Sequence, residues 1–512
     1  MNADWRPVTR CVSASAPRPD LRATQAQWLL DCVRRNAGCA YGHEHGFAHI
    51  RSVEDFRSRV PLNDYGHFAP WIKRMARGES NILFDGRPVA FERTAGSSGA
   101  GKLLPYSAAS LMDFSRVLRV WLGTAARRYQ LSGPAYWAIS PALRSPQRTP
   151  GGTPIGLSDA AYLGEDLTAA FTALSAVPLS VSTICDLAQW QRETWLALLR
   201  CGDLALISIW SPTFLLALLD ALPSHADALS AQLNAAGEAA ALRRLQDYLA
   251  SGDGCLLWPH LRLVSCWGDG ASRAYCAELR RRLPQANFQP KGLLATEGVV
   301  TVPDADDAPV LAAHSGFFEF IGQDGSICLA HELDEGACYE LAITTAGGLY
   351  RYRLGDRVRC RGWSQGWPIL DFLGRAGLVS DLVGEKLAEA FVADCLADDQ
   401  PDLQLDRLPT DDGFRMLIAQ TDPAPHYVLI TDAEAAPWHA RAVEQRLERN
   451  PQYRYARALG QLHALRVLPV RRPLDAYLRR MARQGMRLGD IKPVALRPET
   501  DWLATFSEVA DS

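Results

Sequence analysis

The sequence predicts an α/β fold of mixed α+β character. A large N-terminal domain of helices, mixed sheets and a β-rich, barrel-like portion is followed by a small C-terminal α+β domain. Three observations lead there. Helical segments alternate with short apolar runs through the middle of the chain. After Phe288 the pattern changes to closely spaced strands. Beyond about Asp381 strands and helices recur in a shorter unit. With 512 residues the chain is too long for one core, and the division falls at 1–380 and 381–512.

Taken in order, Trp28, Leu29, Cys32 and Val33 recur at helical spacing within Leu21 to Arg35. Tyr41-Gly-His-Glu-His-Gly-Phe47 follows, with His49 nearby. It lacks the H-E-x-x-H spacing that sets two imidazoles on one helical face, so it reads as a turn rather than a metal site. Val60-Pro61-Leu62 turns into another helix, and Val89-Ala-Phe91 is strand-like. Leu187 to Leu199, Phe214 to Leu222 and Ala240 to Leu249 read as helices. Leu204 to Ile209 and Leu261 to Cys266 read as buried strands between them. Pro309 to Ile321, Ser326 to His331 and Tyr339 to Thr345 then alternate between Gly and Asp turns. Gly347-Gly348 makes a tight turn into Leu349 to Asp356, with further strands at Arg357 to Trp363 and Ile369 to Leu373. In the last unit Phe414 to Ala419, Tyr427 to Thr431 and Ala464 to Pro469 are strands, and Ala433 to Leu462 and Leu474 to Met486 are mostly helical.

Bulk composition narrows the function classes. A hydrophobic content of 48%, a charged content of 22% and a net charge of −3 give no general reason for nucleic-acid or membrane attachment. The best apolar run, Phe214 to Leu222, is too short to span a bilayer and contains Asp220. The N-terminus lacks the apolar stretch of a signal peptide. Twelve cysteines are scattered without C-x-x-C pairs, which suits buried thiols in a reducing, cytoplasmic compartment. The sequence carries no signal for oligomeric state.

The stretch with the most chemistry is Thr94-Ala-Gly-Ser-Ser-Gly-Ala-Gly-Lys102. Glycines let backbone N–H groups crowd an anion, hydroxyls add donors and the lysine adds a point charge. Gly96, four residues, Gly101 and Lys102 nearly form a Walker A loop, but Leu103 stands where Ser or Thr would hold Mg²⁺. Four further stretches belong with it. Thr296 and Glu297 end a strand with a hydroxyl for a phosphate oxygen and a carboxylate for Mg²⁺. Asp356 is expected at a strand end, where it could accept hydrogen bonds from both ribose hydroxyls. Gly374-Arg375 follows another strand, and Gly384-Glu385-Lys386 marks the passage to the small domain, whose own candidate is Lys492. Singly, each of these residues is as readily a turn residue, a cap or a surface charge.

Together they resemble the acyl-adenylate-forming superfamily of acyl-CoA synthetases, luciferases and peptide-synthetase adenylation domains. Much more closely they resemble the auxin-responsive acyl acid amido synthetases, the Gretchen Hagen family of plants and its bacterial relatives. The wording that matches is Thr94 to Tyr106, Ser265-Cys-Trp-Gly-Asp-Gly-Ala271, Lys291-Gly-Leu-Leu-Ala-Thr-Glu-Gly298, Gly348 to Asp356 and Asp381-Leu-Val-Gly-Glu-Lys386. The matches run from about Tyr41 to Lys492.

The resemblance implies ATP and Mg²⁺, with Ser97, Ser98, Gly99 and Lys102 as the phosphate loop. It implies Thr296 and Glu297 at the α-phosphate and Mg²⁺, and Asp356 at the ribose with help from Arg375. Gly268, Asp269 and Gly270 would lie against the adenine, Lys386 at the hinge, and Lys492 would be the catalytic lysine carried by the small domain. Two positions depart from the pattern. Ala95 stands where the family commonly has Ser, and Gly377 where wider adenylating enzymes usually have Asp. The implied reaction is adenylation of a small carboxylic acid, with release of pyrophosphate, and then transfer of the acyl group to an amine, most naturally an amino acid. An acyl-CoA ligase with a thiol acceptor and a non-catalytic nucleotide-binding protein are the competing readings. The acyl pocket is expected between Ala135 and Ile209, with Tyr136, Trp137 and Tyr162 as aromatic candidates.

Overall fold

The computed structural model describes residues 4–9, 18–94, 102–137, 147–157, 162, 164–269, 272–375, 378–397, 413–433, 440–486 and 488–510. Its chain divides into two compact units. The first is Met1–Trp210, Asp220–Cys266 and Arg282–Phe372; the second is Ser211–Leu219, Trp267–Arg281 and Leu373–Ser512. The α/β class holds, with parallel, antiparallel and mixed sheets in one chain.

The first unit contains a four-stranded parallel sheet ordered Ala135–Trp137, Leu206–Ser208, Leu263–Cys266, Asn287–Pro290. The first three strands are buried along their whole length, which is why they read as continuous apolar runs rather than alternating ones. Leu187–Arg200 and Ala239–Ser251 are the helices that precede the second and third strands. Each shows one buried stripe, such as Trp190, Thr194, Trp195 and Leu198.

The β-rich portion is a seven-stranded antiparallel sheet ordered Thr301–Pro303, Pro309–Leu311, Trp367–Arg375, Tyr352–Ser364, Cys338–Thr344, Phe317–Ile321, Ile327–Leu329. Against it packs the helix Leu21–Arg35, started by Asp20, whose carboxylate accepts from the Ala23 N–H. Leu29, Cys32 and Val33 share a core with Phe317, Phe318, Phe320 and Leu341. Two expected strands become one here. Leu349 to Asp356 and Arg357 to Trp363 form a single strand, Tyr352–Ser364. Pairing with Cys338–Thr344 shifts between Glu340↔Arg357 and Ala342↔Arg353, so extra residues bulge at Gly355, whose φ is +78°. The bulge imitates a strand end in the sequence because it breaks the alternation and needs a glycine.

A smaller sheet holds the hairpin Ala90–Arg93 and Leu103–Tyr106, registered Ala90↔Tyr106 through Arg93↔Leu103. The helix Ala108–Arg128 follows at once, capped reciprocally by Ser107 and Ser110.

The second unit is built on a four-stranded sheet ordered Arg466–Val470, His426–Asp432, Arg415–Gln420, Leu496–Arg497. The expected helix over Ala433 to Leu462 is two, Ala440–Leu447 and Pro451–Ala458, because Asn450 caps the second and Pro451 starts it. Among the described residues no helix is long and apolar enough to cross a membrane.

Candidate active site

In the first unit Thr94 and Lys102, the described residues on either side of the glycine-rich segment, close the base of a hairpin. The Thr94 N–H donates to the Lys102 carbonyl at 2.9 Å, and the Lys102 N–H donates back to Thr94 Oγ1 at 3.2 Å. Ser97, Ser98 and Gly99 lie outside the described residues; what is described is the closed base that delivers Lys102. Tyr65 fixes that base further. Its hydroxyl accepts from the Leu103 N–H at 3.0 Å and donates to the Leu103 carbonyl at 3.2 Å. Lys102 Nζ donates to Tyr352 Oη at 3.2 Å and stands 5.4 Å from the Tyr65 ring and 5.8 Å from the Tyr352 ring. Two aromatic rings thus hold one half-buried cation in place.

Tyr352 begins the strand that contains Asp356, four residues on and 4% exposed. Asp356 therefore occupies a bulge inside a strand rather than a strand end. The turn before that strand is anchored by Arg351, whose guanidinium forms a bidentate pair with Glu319 at 2.8 and 2.9 Å. Two further donations from Arg351, to the Arg57 and Val60 carbonyls, satisfy the buried fork.

Thr296 and Glu297 form the two-residue turn of a short hairpin, Leu294–Ala295 with Gly298–Val299. They close a turn where the sequence suggests the end of a strand. Tyr106, from the glycine-rich hairpin, donates its hydroxyl to the Thr296 carbonyl at 2.5 Å. A Cβ on Gly298 would lie 3.3 Å from Thr345 Cγ2, so the hairpin is also tightly set against the turn that leads to Asp356. Burial, then the charges of Glu92 and Glu297, push the Tyr106 phenol up, so it remains a donor. Glu92 and Glu297 are 7% and 8% exposed. Two buried carboxylates beside one phenol make a negative field that suits a divalent cation. Among the described residues there is no cluster of three His, Cys, Asp or Glu arranged for a metal. Mg²⁺ commonly needs only one or two protein carboxylates beside phosphate oxygens, so the donor set fits.

The structure adds a residue whose role the sequence does not announce. Lys291, just past the strand Asn287–Pro290, is 5% exposed and donates to Ser208 Oγ at 2.7 Å. Its Nζ stands 4.6 Å from the Trp121 ring and 5.3 Å from the Trp210 ring. The only signal in the sequence is its place at the head of the segment that contains Thr296 and Glu297.

In the second unit, Trp267 and Lys492 meet although 225 positions separate them: Lys492 Nζ lies 5.7 Å from the Trp267 ring. Gly268 and Asp269 directly follow that tryptophan, and the Asp269 carbonyl accepts from the Ser272 N–H at 3.2 Å. Gly270 lies outside the described residues. Tyr477 donates to the Lys492 carbonyl at 3.1 Å, which fixes the segment that presents the lysine. Lys386 is exposed and left-handed, with φ +45°. It follows Glu385, which is fully buried and accepts from the Leu382 and Val383 N–H groups at 2.9 and 2.8 Å. Tyr427 also donates to Glu385. A locked loop thus precedes a residue in an uncommon backbone state. Arg375 ends the strand Trp367–Arg375, and its side chain lies outside the described residues.

Comparison with known proteins gives the family and the fold. Residues 18–237 match the model described as "GH3 family N-terminal domain", and residues 309–375 match "GH3 family central domain". A probable indole-3-acetic acid-amido synthetase of Oryza sativa subsp. japonica, GH3.12, is 24% identical over 72% of each chain. The jasmonoyl–L-amino acid synthetase JAR6 of Nicotiana attenuata is 22% identical, again over 72% of each. Among solved structures, the acyl acid amido synthetase AtGH3.15 in complex with 2,4-DB has the same fold. Its TM-score is 0.83 at 18% identity, covering 96% of this chain and 94% of that one.

Proposed function

The chain belongs to the GH3 family, and on that premise we propose that it is an ATP-dependent acyl acid amido synthetase. A carboxylate oxygen of the acid attacks the α-phosphorus of ATP, giving acyl-AMP and pyrophosphate. The amine of an amino acid then attacks the acyl carbon; AMP leaves, the amide forms and the ammonium proton is released. The observation that supports this best is the linkage of Lys102, Tyr106, Thr296, Glu297 and Asp356 through direct contacts and one shared strand.

Each residue has a task set by its chemistry. Lys102, with the donors of Ser97, Ser98 and Gly99, neutralises phosphate charge as two anions approach. Thr296 holds an α-phosphate oxygen. Glu297 is the Mg²⁺ ligand, and the bound ion would supply positive charge to the transferred phosphate. Leu103 is then no defect, since Mg²⁺ is not expected at the loop. Asp356 accepts from the ribose hydroxyls, with Arg375 as its helper. Trp267, Gly268, Asp269 and Gly270 meet the adenine. Lys492, steadied by Tyr477 and Trp267, serves the adenylation step, and Lys386 is the pivot of the movement that separates the two steps. The cysteines, scattered without C-x-x-C pairs, support a reducing, cytoplasmic setting.

Pyrophosphate release with a panel of carboxylic acids tests the first step. Mass spectrometry of products, with mixed amino acids or with CoA, tests the second. Acid-dependent pyrophosphate release followed by an amide product is the expected result. A thioester as the sole product would replace this reading with an acyl-CoA ligase. No release with any acid would leave only nucleotide binding.

A further inference from the structure

The parallel sheet of the first unit presents a polar row that the proposed ATP contacts do not use. Trp137, Ser208, Ser265 and Gln289 are register partners on four successive strands. Cross-strand partners share one face of a sheet, so these side chains line up toward the carboxyl ends of the strands. That is where ligands of parallel α/β sheets bind. Gln289 is satisfied, accepting from Trp121 Nε1 at 2.8 Å and donating to Asp307 at 2.6 Å. Among the described residues, Ser265 Oγ and Trp137 Nε1 have no hydrogen-bond partner, although Ser265 is fully buried and Trp137 is 6% exposed. Buried donors of this kind normally have partners, and two in one row point to a polar ligand.

Lys291 stands at the end of this row. Its ammonium donates to Ser208 and lies over the faces of Trp121 and Trp210. Such an arrangement fixes a cation between two aromatic walls. That is chemistry for an organic anion, and the proposed reaction needs one: the acid must be held as its carboxylate before it attacks phosphorus.

We infer that Lys291 binds the carboxylate of the acyl acid, with Ser208 aiming the ammonium and Trp121 and Trp210 flanking the acid. The inference rests on the amido synthetase reading. Steady-state pyrophosphate release by Lys291→Met, Lys291→Arg and the parent enzyme tests it. A hydrogen bond to a charged group is worth about 1.5–3 kcal/mol, which corresponds to roughly 10–150-fold. Lys291→Met should raise KM for every acid within that range and leave KM for ATP within about twofold. Lys291→Arg should recover part of the loss, and acyl-AMP supplied directly should be transferred to the amine at the parent rate. Ser208→Ala, which loses only the aiming hydrogen bond, should raise the acid KM by a smaller factor and serves if Lys291→Met fails to fold. An unchanged acid KM, acid and ATP KM rising together, or Arg performing no better than Met overturns the inference alone. Absence of acid-dependent pyrophosphate release by the parent enzyme overturns the amido synthetase reading and this inference with it.

Discussion

Tyr106 donates a 2.5 Å hydrogen bond to the main-chain carbonyl of Thr296, so the hairpin that closes on Lys102 is tied to the turn that contains Glu297. The bond spans 190 positions of sequence. On the proposed reading, phosphate donors and a metal ligand must hold a fixed separation to act on one triphosphate, and a buried phenol would supply that constraint. Tyr106→Phe keeps the ring and deletes the bond. Stability should fall by about 1–2 kcal/mol, since a buried carbonyl loses its donor. The rate of acid-dependent ATP–pyrophosphate exchange should fall at least about tenfold. Wild-type exchange in the Phe variant would show that the tie is not needed for adenylation.

Lys102 is held by Tyr65 and Tyr352 but, as a half-buried cation, contributes little to folding. Lys102→Met should therefore change the melting temperature by only a few degrees, in keeping with a cation–π loss of about 0.5–1 kcal/mol. Adenylation should drop by about 10²–10³, the usual consequence of removing one donor aimed at developing charge. A variant that melts far lower yet adenylates normally would reverse the assignment.

Lys492 offers a separation of the two half-reactions. With its charge removed in Lys492→Ala, ATP–pyrophosphate exchange should fall by about 10² or more. Transfer from supplied acyl-AMP to the amine should stay within about threefold, because on the proposed reading this lysine serves only the adenylation step. Single-turnover assays of each step decide the matter. Exchange that survived Lys492→Ala intact would remove this lysine from the chemistry.

How much of this was legible in the sequence follows from the range over which each feature acts. The strand-like Val89–Phe91, the Gly347-Gly348 turn and the buried strands within Leu204–Ile209 and Leu261–Cys266 are set by neighbours in sequence, and composition and spacing revealed them. The strand through Asp356 was not legible as one element, because the bulge at Gly355 interrupts the alternation that marks a strand. Lys291 and Lys492 were beyond the reach of periodicity. Their partners, Trp121, Ser208 and Trp210 for one and Trp267 for the other, come from distant segments that only the sheets and loops bring together. Candidate residues could thus be picked out from motifs, whereas the surroundings of each charge could not.

Gly348 makes a purely structural prediction about the turn that leads to Asp356. Its φ is +88°, and a Cβ there would lie 2.5 Å from Leu83 Cβ and 3.1 Å from Phe84 Cδ1. Both penalties act in Gly348→Ala: a left-handed backbone costs about 1–2 kcal/mol, and the overlap adds about 1–3 kcal/mol. The expected loss by denaturant unfolding is several kcal/mol, whereas Gly336→Ala, also at positive φ but with open space around it, should lose only the backbone share. Equal losses in the two variants would mean that Leu83 moves aside freely.

Asp113 gives a pH dependence whose sign is fixed. Burial pushes its carboxyl up from 3.8 to about 6, opposed by Arg116, by a hydrogen bond with Trp28 and by Arg35. A raised carboxyl binds its proton more tightly in the folded chain than in the unfolded one. Its contribution is therefore most favourable below pH 3.8 and is lost as pH rises through about 6. At pH 7 the buried charge should cost about 1–3 kcal/mol. Asp113→Asn removes that charge while keeping the shape of the side chain. The variant should be more stable than the parent at pH 7.5 by about that amount, with the difference shrinking towards zero at pH 4. Urea unfolding at the two pH values measures it directly. A gain of the same size at both would mean that Asn packs better than Asp and that ionisation is not the cause. A loss at pH 7.5 would mean that the pair with Arg116 outweighs the burial of Asp113.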